Sequence, residues 1–278
     1  MTDDHHEVYE ALAHASRDGV AAALATVIET QGSIPRHSGT KMLVYANGDI
    51  VGTVGGGAME ALVIQRAKEA LADGKTRLET YTLNNLEDGD PGICGGTARI
   101  FIEPLSLAPK LLVIGGGHVG KALAELGKWA GYRVHLSDDR PDYANPTCAP
   151  NLDGYHVCAP SAITAQVAID RHTYVCAVTR GLPVDLDLIP ALLATDAPYI
   201  GLIGSRRRWA ITRKALKEQR GLTDDDLARM RAPIGIAIQA ESPKEIAISI
   251  MAEVTMIRRG GKGHPMRWMG DESELDQR

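Results

Sequence analysis

The sequence is poor in aromatic residues, and it carries no excess of positive charge. Only 4% of the 278 residues are aromatic, with one Phe and three Trp, which is too few for the stacking platforms that bind single-stranded nucleic acid. The net charge of −5 also argues against a nucleic-acid partner, because phosphate neutralisation requires clustered Lys and Arg. We therefore expect no nucleic acid among the partners.

Cysteines and long apolar runs are scarce as well. The four cysteines, Cys94, Cys148, Cys158 and Cys176, form no Cys-x-x-Cys pair, so neither a zinc site nor a redox dithiol is indicated. No apolar run approaches the roughly 18 residues of a membrane-spanning helix, and the acidic, polar start lacks the features of a secretory signal. These absences predict a cytoplasmic protein with reduced thiols and no membrane partner.

Length and patterning predict two α/β domains. At about 150 residues per domain, the chain suffices for two, and the segment between Pro104 and Pro109 is the expected linker. We assign residues 1–106 to an N-terminal domain, residues 110–260 to a Rossmann-type domain and residues 261–278 to a flexible tail. In the second domain short apolar strands alternate with helical patterns, which predicts a parallel sheet with right-handed crossovers.

The second domain opens with a strand, a glycine turn and a helix. Gly115, Gly117 and Gly120 match the fingerprint G-x-G-x-x-G, in which the glycines permit the turn, the approach of a pyrophosphate and helix–sheet packing. Asp138 ends the next predicted strand, 21 residues after Gly117, where an acid takes ribose hydroxyls. His118 either faces a bound phosphate or has only a local role. The pattern predicts a Rossmann fold and leaves open whether NAD or another phosphate ligand binds.

The N-terminal domain carries a second glycine turn. Its preceding segment predicts a hairpin in which Asn47 and Gly48 supply the positive φ angles of a tight turn. Gly55, Gly56 and Gly57 then stand between a strand and a helix, where N–H groups and the helix dipole favour a phosphate; close packing explains the same glycines equally well. The upstream loop adds a hydroxyl and two cations: Ser33, Arg36 and Lys41.

Cys94 is the thiol best placed for chemistry. It lies in a Pro-Gly-Ile-Cys-Gly-Gly segment whose Gly95 and Gly96 leave the side chain accessible, and neighbouring N–H groups favour the thiolate. Cys158 and Cys176 lie in apolar runs typical of buried strands, which predicts inert thiols.

Longer motifs carry a family resemblance. The segments ATVIETQGSIPRHSGTKMLV, VGTVGGGAMEA and PGICGGTARIFIEP resemble the N-terminal domain of the xanthine dehydrogenase accessory factor family (XdhC/CoxI). Five further segments resemble the family's Rossmann-type C-terminal domain and occur in the same order: KLLVIGGGHVGKALA, VHLSDDRPDYAN, AVTRGLPVD, YIGLIGSRRR and APIGIAIQAESPKEIAISIMAEV. The resemblance covers nearly the whole chain and implies an XdhC/CoxI-type α/β domain followed by a Rossmann-type domain.

The resemblance implies a function that the residues alone do not give. Family members bind the molybdenum cofactor, protect it while a cysteine desulfurase replaces an oxo ligand with sulfido, and hand it to a xanthine dehydrogenase-like hydroxylase without turnover. A homodimer is the expected assembly, and Cys94 is the expected ligand of the thiophilic molybdenum. The expected cofactor-binding set is Cys94, Gly55, Gly56, Gly57, Ser33, Arg36, Lys41, Gly95, Gly96, Gly115, Gly117, His118, Gly120 and Asp138. The competing hypotheses are a NAD-dependent oxidoreductase and a nucleotide-responsive regulatory module.

Two positions depart from the family pattern. Ala58 follows the three glycines where many members have Cys, which leaves Cys94 without a second thiol. Leu182 stands where many relatives have His, although Asp185 still matches. The three arginines at 206–208 either bind a phosphate or a partner protein, or form the solvated first turn of a helix.

Overall fold

The computed structural model divides the chain into two units, Met1–Ala108 and Pro109–Arg278. It describes residues 3–32, 36–82, 96–105 and 108–264. Ser33, Cys94 and Gly95 lie outside the described residues, as does most of the segment assigned as a tail. In the described ranges, no helix has the length and apolar character needed to cross a membrane.

In its described residues, the first unit contains five strands and two helices. They are β1 (Ala22–Gln31), β2 (Lys41–Tyr45), β3 (Ile50–Gly52), β4 (Arg77–Thr82), β5 (Thr97–Pro104), α1 (Asp3–Asp18) and α2 (Gly57–Asp73). The sheet has the order β3-β2-β1-β5-β4, and all its pairings are antiparallel. The small apolar run of β1 therefore forms the central strand.

The two helices cover opposite faces of this sheet. Successive residues of a strand point to opposite sides, so each strand contributes side chains to both faces. On one face Val8 of α1 packs with Leu24 and Leu43. On the other face Val63 of α2 packs with Met42 and its neighbours. The first helix is therefore amphipathic, and β1 is buried on both of its faces.

The hairpin between β2 and β3 is confirmed, but its turn differs from the prediction. Gly48 has a φ of 97°, whereas Asn47 does not adopt a positive φ. The Asn47 side chain instead bonds to Asp49, donating from Nδ2 and accepting from the backbone N–H. The connection is a longer turn closed by one left-handed glycine. β3 ends at Gly52, so two residues separate the strand from the glycine turn at 55–57.

The second unit is a doubly wound α/β domain. Its strands are β6 (Lys110–Ile114), β7 (Arg133–Asp138), β8 (Gly154–Val157), β9 (Thr173–Ala177), β10 (Tyr199–Leu202) and β11 (Met230–Arg231). Its helices are α3 (His118–Trp129), α4 (Ile163–Gln166), α5 (Leu182–Leu193), α6 (Arg206–Arg220), α7 (Asp224–Leu227) and α8 (Pro243–Arg259). The parallel order β11-β10-β9-β6-β7-β8 is that of the Rossmann fold.

Two apolar layers cover the faces of the second sheet. α3 and α8 form one layer, where Ile250 and Val254 are fully buried, and Ser242 makes a capping box with Glu245 at the start of α8. Cys176 is also fully buried, and burial raises the pKa of its thiol, as expected of an inert core residue. Cys158 departs from its prediction, because it follows β8 and is only half-buried.

A pair of histidines connects β7 with the edge strand β8. Nδ1 of His135 lies 2.9 Å from Nε2 of His156, and the two rings are stacked with an interplanar angle of 9°. Gly154 makes room for them, since a Cβ there would lie 2.5 Å from His135 Nδ1. Burial, reinforced by the neighbouring His156, lowers the pKa of His135 to about 4. Burial also lowers the pKa of His156.

We expect the second unit to lose stability as the pH falls from about 6.5 towards about 4. Unfolded histidines bind protons near pH 6.5, whereas His135 in the fold stays neutral until about pH 4, so the unfolded state binds more protons in this window. Urea unfolding measured at several pH values should show a loss of about 1–3 kcal/mol in the wild type. The double variant His135→Leu/His156→Leu should flatten that dependence, and replacement of the exposed His14 should not. An unflattened curve in the double variant would exclude the pair as its source.

Candidate functional site

The three fingerprint glycines of the second unit meet different surroundings. A Cβ on Gly115, whose φ is 114°, would lie 2.5 Å from the carbonyl oxygen of Val178. A Cβ on Gly120 would lie 1.8 Å from the carbonyl oxygen of Gly115, whereas one on Gly117 would meet nothing within 4 Å. The first and third glycines are therefore required by packing, and the second leaves the turn open to a ligand.

Asp138, at the end of β7, is already fully hydrogen-bonded by the protein. Its carboxylate accepts from the N–H of Gly116 (2.8 Å) and from the backbone N–H, Nε and Nη2 of Arg140 (3.0, 2.8 and 3.0 Å). Burial raises the pKa of this carboxyl, but the bonds from Arg140 and Gly116 outweigh it and the pKa falls to about 2. The side chain is 3% exposed. Four donors satisfy a carboxylate, so the expectation that Asp138 binds ribose hydroxyls, and with it NAD, finds no support here.

The segment after β7 packs directly on the glycine turn. A Cβ on Gly116 would lie 1.9 Å from the carbonyl oxygen of Tyr143. The Arg140 guanidinium lies 3.6 Å from the centroid of the Tyr143 ring, a cation–π contact. Beside this segment is an open cavity of about 590 Å³. His118, Lys121 and Cys148 are among its lining residues.

A second, smaller cavity of about 60 Å³ lies on the crevice side of the turn. Its lining includes Gly115, Gly117, Asp139, Thr179 and Arg180. Nη2 of Arg180 lies 2.7 and 2.6 Å from the two carboxylate oxygens of Asp139. The crevice is therefore narrow and bridged by an ion pair.

Behind Thr179 lies a buried polar network. Its hydroxyl donates to Oδ1 of Asp185 (2.5 Å), and Nη2 of Arg208 donates to Oδ2 of Asp185 (2.7 Å). Asp185 is fully buried. Of the three arginines at 206–208, Arg208 is thus a structural partner, while Arg206 and Arg207 are exposed at the start of α6.

In the first unit, strand register brings the predicted residues to one end of the sheet. Thr26 pairs with Lys41 and Met42 pairs with Gly52, so the start of β2 lies beside the end of β3. At the same end Thr97, which begins β5, pairs with both Gln31 and Thr82. This end therefore carries the half-buried Arg36 and Lys41, the glycine turn Gly55, Gly56 and Gly57, and Gly96. Cys94 precedes Gly96 by two positions and lies outside the described residues.

Glu60 organises the glycine turn of the first unit, and sequence reasoning missed it. Its Oε2 accepts from the N–H groups of Val54 and Gly56, both at 3.3 Å, and from the Thr53 hydroxyl. The Gly55 N–H donates to the Thr53 hydroxyl oxygen at 3.1 Å. An internal carboxylate thus occupies part of the place predicted for a phosphate. An acid in the first turn of the helix was the available sequence signal.

No metal-binding cluster of three or more His, Cys, Asp or Glu residues occurs within the described part of the chain. The metal ligand predicted from the sequence, Cys94, is not among those residues. Arg140 and Arg180 were also missed as site residues, because neither belongs to the glycine fingerprint. Their acid partners, Asp138 and Asp139, adjoin the fingerprint and were the available signal.

Three curated proteins are similar to most of this chain. Protein YqeB of Escherichia coli (strain K12), described as uncharacterized, is 33% identical over 243 residues, which cover 87% of this chain and 44% of YqeB. The molybdenum cofactor insertion chaperone PaoD of the same organism is 25% identical over 303 residues, covering 93% of this chain and 90% of PaoD. A probable xanthine dehydrogenase subunit of Bacillus subtilis (strain 168) is 23% identical over 321 residues, covering 87% and 94%. The chain therefore spans less than half of YqeB and most of the other two.

Two family models match the chain, one in each unit. The XdhC and CoxI family model matches residues 15–82, and the XdhC Rossmann domain model matches residues 111–254. The second match alone covers more than half of the 278 residues. Together with the Rossmann strand order, these matches confirm the resemblance seen in the sequence motifs: the chain belongs to the XdhC and CoxI family.

Proposed function

We propose that this protein binds the molybdenum cofactor as cargo and assists its sulfuration and its insertion into a xanthine dehydrogenase-like hydroxylase. The similarity to PaoD, which is named a molybdenum cofactor insertion chaperone, supports the cargo. The similarity to the Bacillus relative, which is named a probable xanthine dehydrogenase subunit, supports the kind of recipient. A cysteine desulfurase as sulfur source, a homodimeric assembly and a cytoplasmic location belong to the same proposal.

The observation that supports the proposal is the placement of the site residues towards the same end of the first sheet. The cargo combines an anionic, phosphorylated pterin with a thiophilic metal. Arg36 and Lys41 supply positive charge at that sheet end, and both are half-buried, where a charge interaction is screened less than at the surface. We assign the metal to the Cys94 thiolate, since thiolates are preferred ligands of soft metals.

The glycine turn at the same end contributes an open backbone surface more than it contributes N–H donors for a ligand. Because Glu60 already accepts from the N–H groups of Val54 and Gly56, the turn is preorganised without a ligand. Gly56 has a φ of 78° and a Cβ there would meet no atom within 4 Å, so the backbone is open to close approach by a flat ring. We assign this turn to contact with the pterin, with Arg36 and Lys41 facing the phosphate.

Molybdenum and pterin analysis of the purified protein tests the proposal. Protein from a host that makes the cofactor should contain both in equal amounts, and protein from a cofactor-deficient host should contain neither. A Cys94→Ala variant should retain about a tenth or less of the molybdenum, since the loss of a metal ligand costs at least as much as the 10–100-fold typical of its supporting residues.

Cys158→Ala is the matched control. That thiol is half-buried and makes a weak polar contact with the Ser137 hydroxyl at 3.6 Å, and it belongs to the second unit, so its loss should leave the molybdenum content unchanged. Wild-type protein without molybdenum or pterin from the competent host would refute the cargo. Full loading of Cys94→Ala would refute the metal ligand but not the cargo.

A further inference from the structure

An ion pair spans the crevice above the second glycine turn. β7 and β9 flank β6 in the sheet, so Asp139, directly after β7, and Arg180, shortly after β9, lie on either side of the turn that follows β6. A single nitrogen of Arg180, Nη2, lies 2.7 and 2.6 Å from the two carboxylate oxygens of Asp139. This is the switch point at which doubly wound sheets bind their ligands.

The surroundings of the bridge favour an anion. α3 and α5 both begin at this crevice, and neither has a side-chain cap on its N-terminal N–H groups, which carry partial positive charge. Asp138 is neutralised by Arg140, whose Nε also lies 4.0 Å from Oδ1 of Asp139. Among the described residues that line the small cavity, Asp139 is thus the carboxylate not buried in such a cluster, and its partner Arg180 points towards the same crevice.

We propose that Arg180 is a phosphate-binding residue and that Asp139 takes the place of the phosphate while no ligand is bound. A phosphate monoester entering the crevice displaces the Asp139 carboxylate, bonds to Arg180 in a fork, and accepts from N–H groups at the start of α3. No covalent step is involved. The inference goes beyond the proposed function: it names the ligand only as a phosphate monoester, and it does not use the cargo phosphate, which is assigned to Arg36 and Lys41.

The two acids of the crevice differ in how readily a ligand displaces their carboxylates from their hydrogen-bond partners. The Asp139 and Arg180 side chains are 39% and 55% exposed, and such pairs contribute little because solvent screens them. The Asp138 side chain is 3% exposed and keeps four hydrogen bonds. Asp139 is therefore an exchangeable anion and Asp138 a fixed one.

The proposal predicts that replacing Asp139 changes ligand affinity in the opposite direction from that expected of an acid at this strand end. If Asp139 bound a ligand hydroxyl, as acids do in dinucleotide sites, its replacement by Asn would weaken binding. If it competes with phosphate, Asp139→Asn should strengthen phosphate binding, by about threefold or more for an exposed pair. Arg180→Ala should weaken binding by at least the same factor.

Isothermal titration with inorganic phosphate, at constant ionic strength set by chloride, tests this on the full-length protein. Glu29→Gln is the matched control: it frees Arg99 from an exposed ion pair of 2.8 Å, with both side chains 45% exposed, and both residues lie within strands, β1 and β5, instead of at a helix start. Circular dichroism confirms folding of each variant. We expect tighter binding in Asp139→Asn, weaker binding in Arg180→Ala and no change in Glu29→Gln.

Four results would overturn the inference. They are unchanged or weaker binding in Asp139→Asn, wild-type binding in Arg180→Ala, equal tightening in Glu29→Gln, and no phosphate binding to Asp139→Asn at tens of millimolar. Failure of the proposed function looks different. If the protein contains no molybdenum but its variants show the expected changes in phosphate affinity, only the proposed cargo is refuted. If the protein contains molybdenum but neither Asp139→Asn nor Arg180→Ala changes its phosphate affinity, only this inference is refuted.

Discussion

Replacing Gly120 with alanine is expected to lower the free energy of unfolding of the second unit by about 3 kcal/mol or more. The added Cβ would lie 1.8 Å from the carbonyl oxygen of Gly115 and 3.2 Å from Cγ2 of Val178. Gly115 cannot move away easily, because its N–H donates to the Ser137 carbonyl oxygen at 2.7 Å. The start of α3 would have to separate from the end of β6. Urea unfolding followed by tryptophan fluorescence measures this unit alone, since the three Trp all follow Pro109 in the sequence.

Gly117→Ala is the matched control, because it adds the same methyl group to the same glycine fingerprint. A Cβ there would meet nothing within 4 Å, and the φ of −66° is open to any residue. Its stability should stay within about 0.5 kcal/mol of the wild type. The methyl group lies where a ligand approaches, so phosphate binding should weaken while folding is retained. A Gly120→Ala protein as stable as Gly117→Ala would contradict the packing described for this turn.

The Rossmann unit could be predicted from the sequence because its signals are local. The fingerprint Gly115, Gly117 and Gly120 follows an apolar strand directly, and strands alternate with helices from there on, which leaves few parallel topologies. The capping box at Ser242 is equally local. β11 was missed because it has two residues, too few to show a period.

The first sheet was less predictable because its pairings are not local. The hairpin of β2 and β3 was visible in the sequence, but the pairing of β1 with β5, from Ala23 with Pro104 to Gln31 with Thr97, joins residues far apart in the chain. Nothing in a strand's own composition states its partner. That Lys41 and the glycine turn lie towards the same end of the sheet followed only once that register was known.

The electrostatics of both glycine turns were the least predictable part of the site. The sequence placed Asp138 where a ribose-binding acid is expected, yet Arg140 and the Gly116 N–H occupy its carboxylate. At the first glycine turn, Glu60 accepts a hydrogen bond from the Gly56 N–H, a donor that was expected to bind a phosphate. Residue spacing shows which groups come near a turn, but the allocation of hydrogen bonds depends on side-chain geometry that spacing does not encode.

Replacing Asp185 with alanine is expected to lower the free energy of unfolding of the second unit by about 3–5 kcal/mol. Asp185 is fully buried and joins the Thr179 hydroxyl after β9 to Arg208 in the first turn of α6. Without the carboxylate, the guanidinium keeps only Thr179, through bonds of 3.0 and 3.3 Å. Because the Arg208 side chain is 25% exposed, water relieves part of that cost, which favours the lower end of the range.

Asp187→Ala, on the same helix, is the matched control. Asp187 pairs with Arg220, but the two side chains are 60% and 44% exposed, so its loss should cost at most about 1 kcal/mol. Adding Arg208→Met to Asp185→Ala should restore part of the lost stability, since an apolar side chain removes the unpaired charge. If Asp185→Ala costs no more than Asp187→Ala, the buried pair does not stabilise this edge of the sheet. Because Thr179 directly precedes Arg180, such a result would also mean that this buried pair does not hold Arg180 rigidly at the crevice.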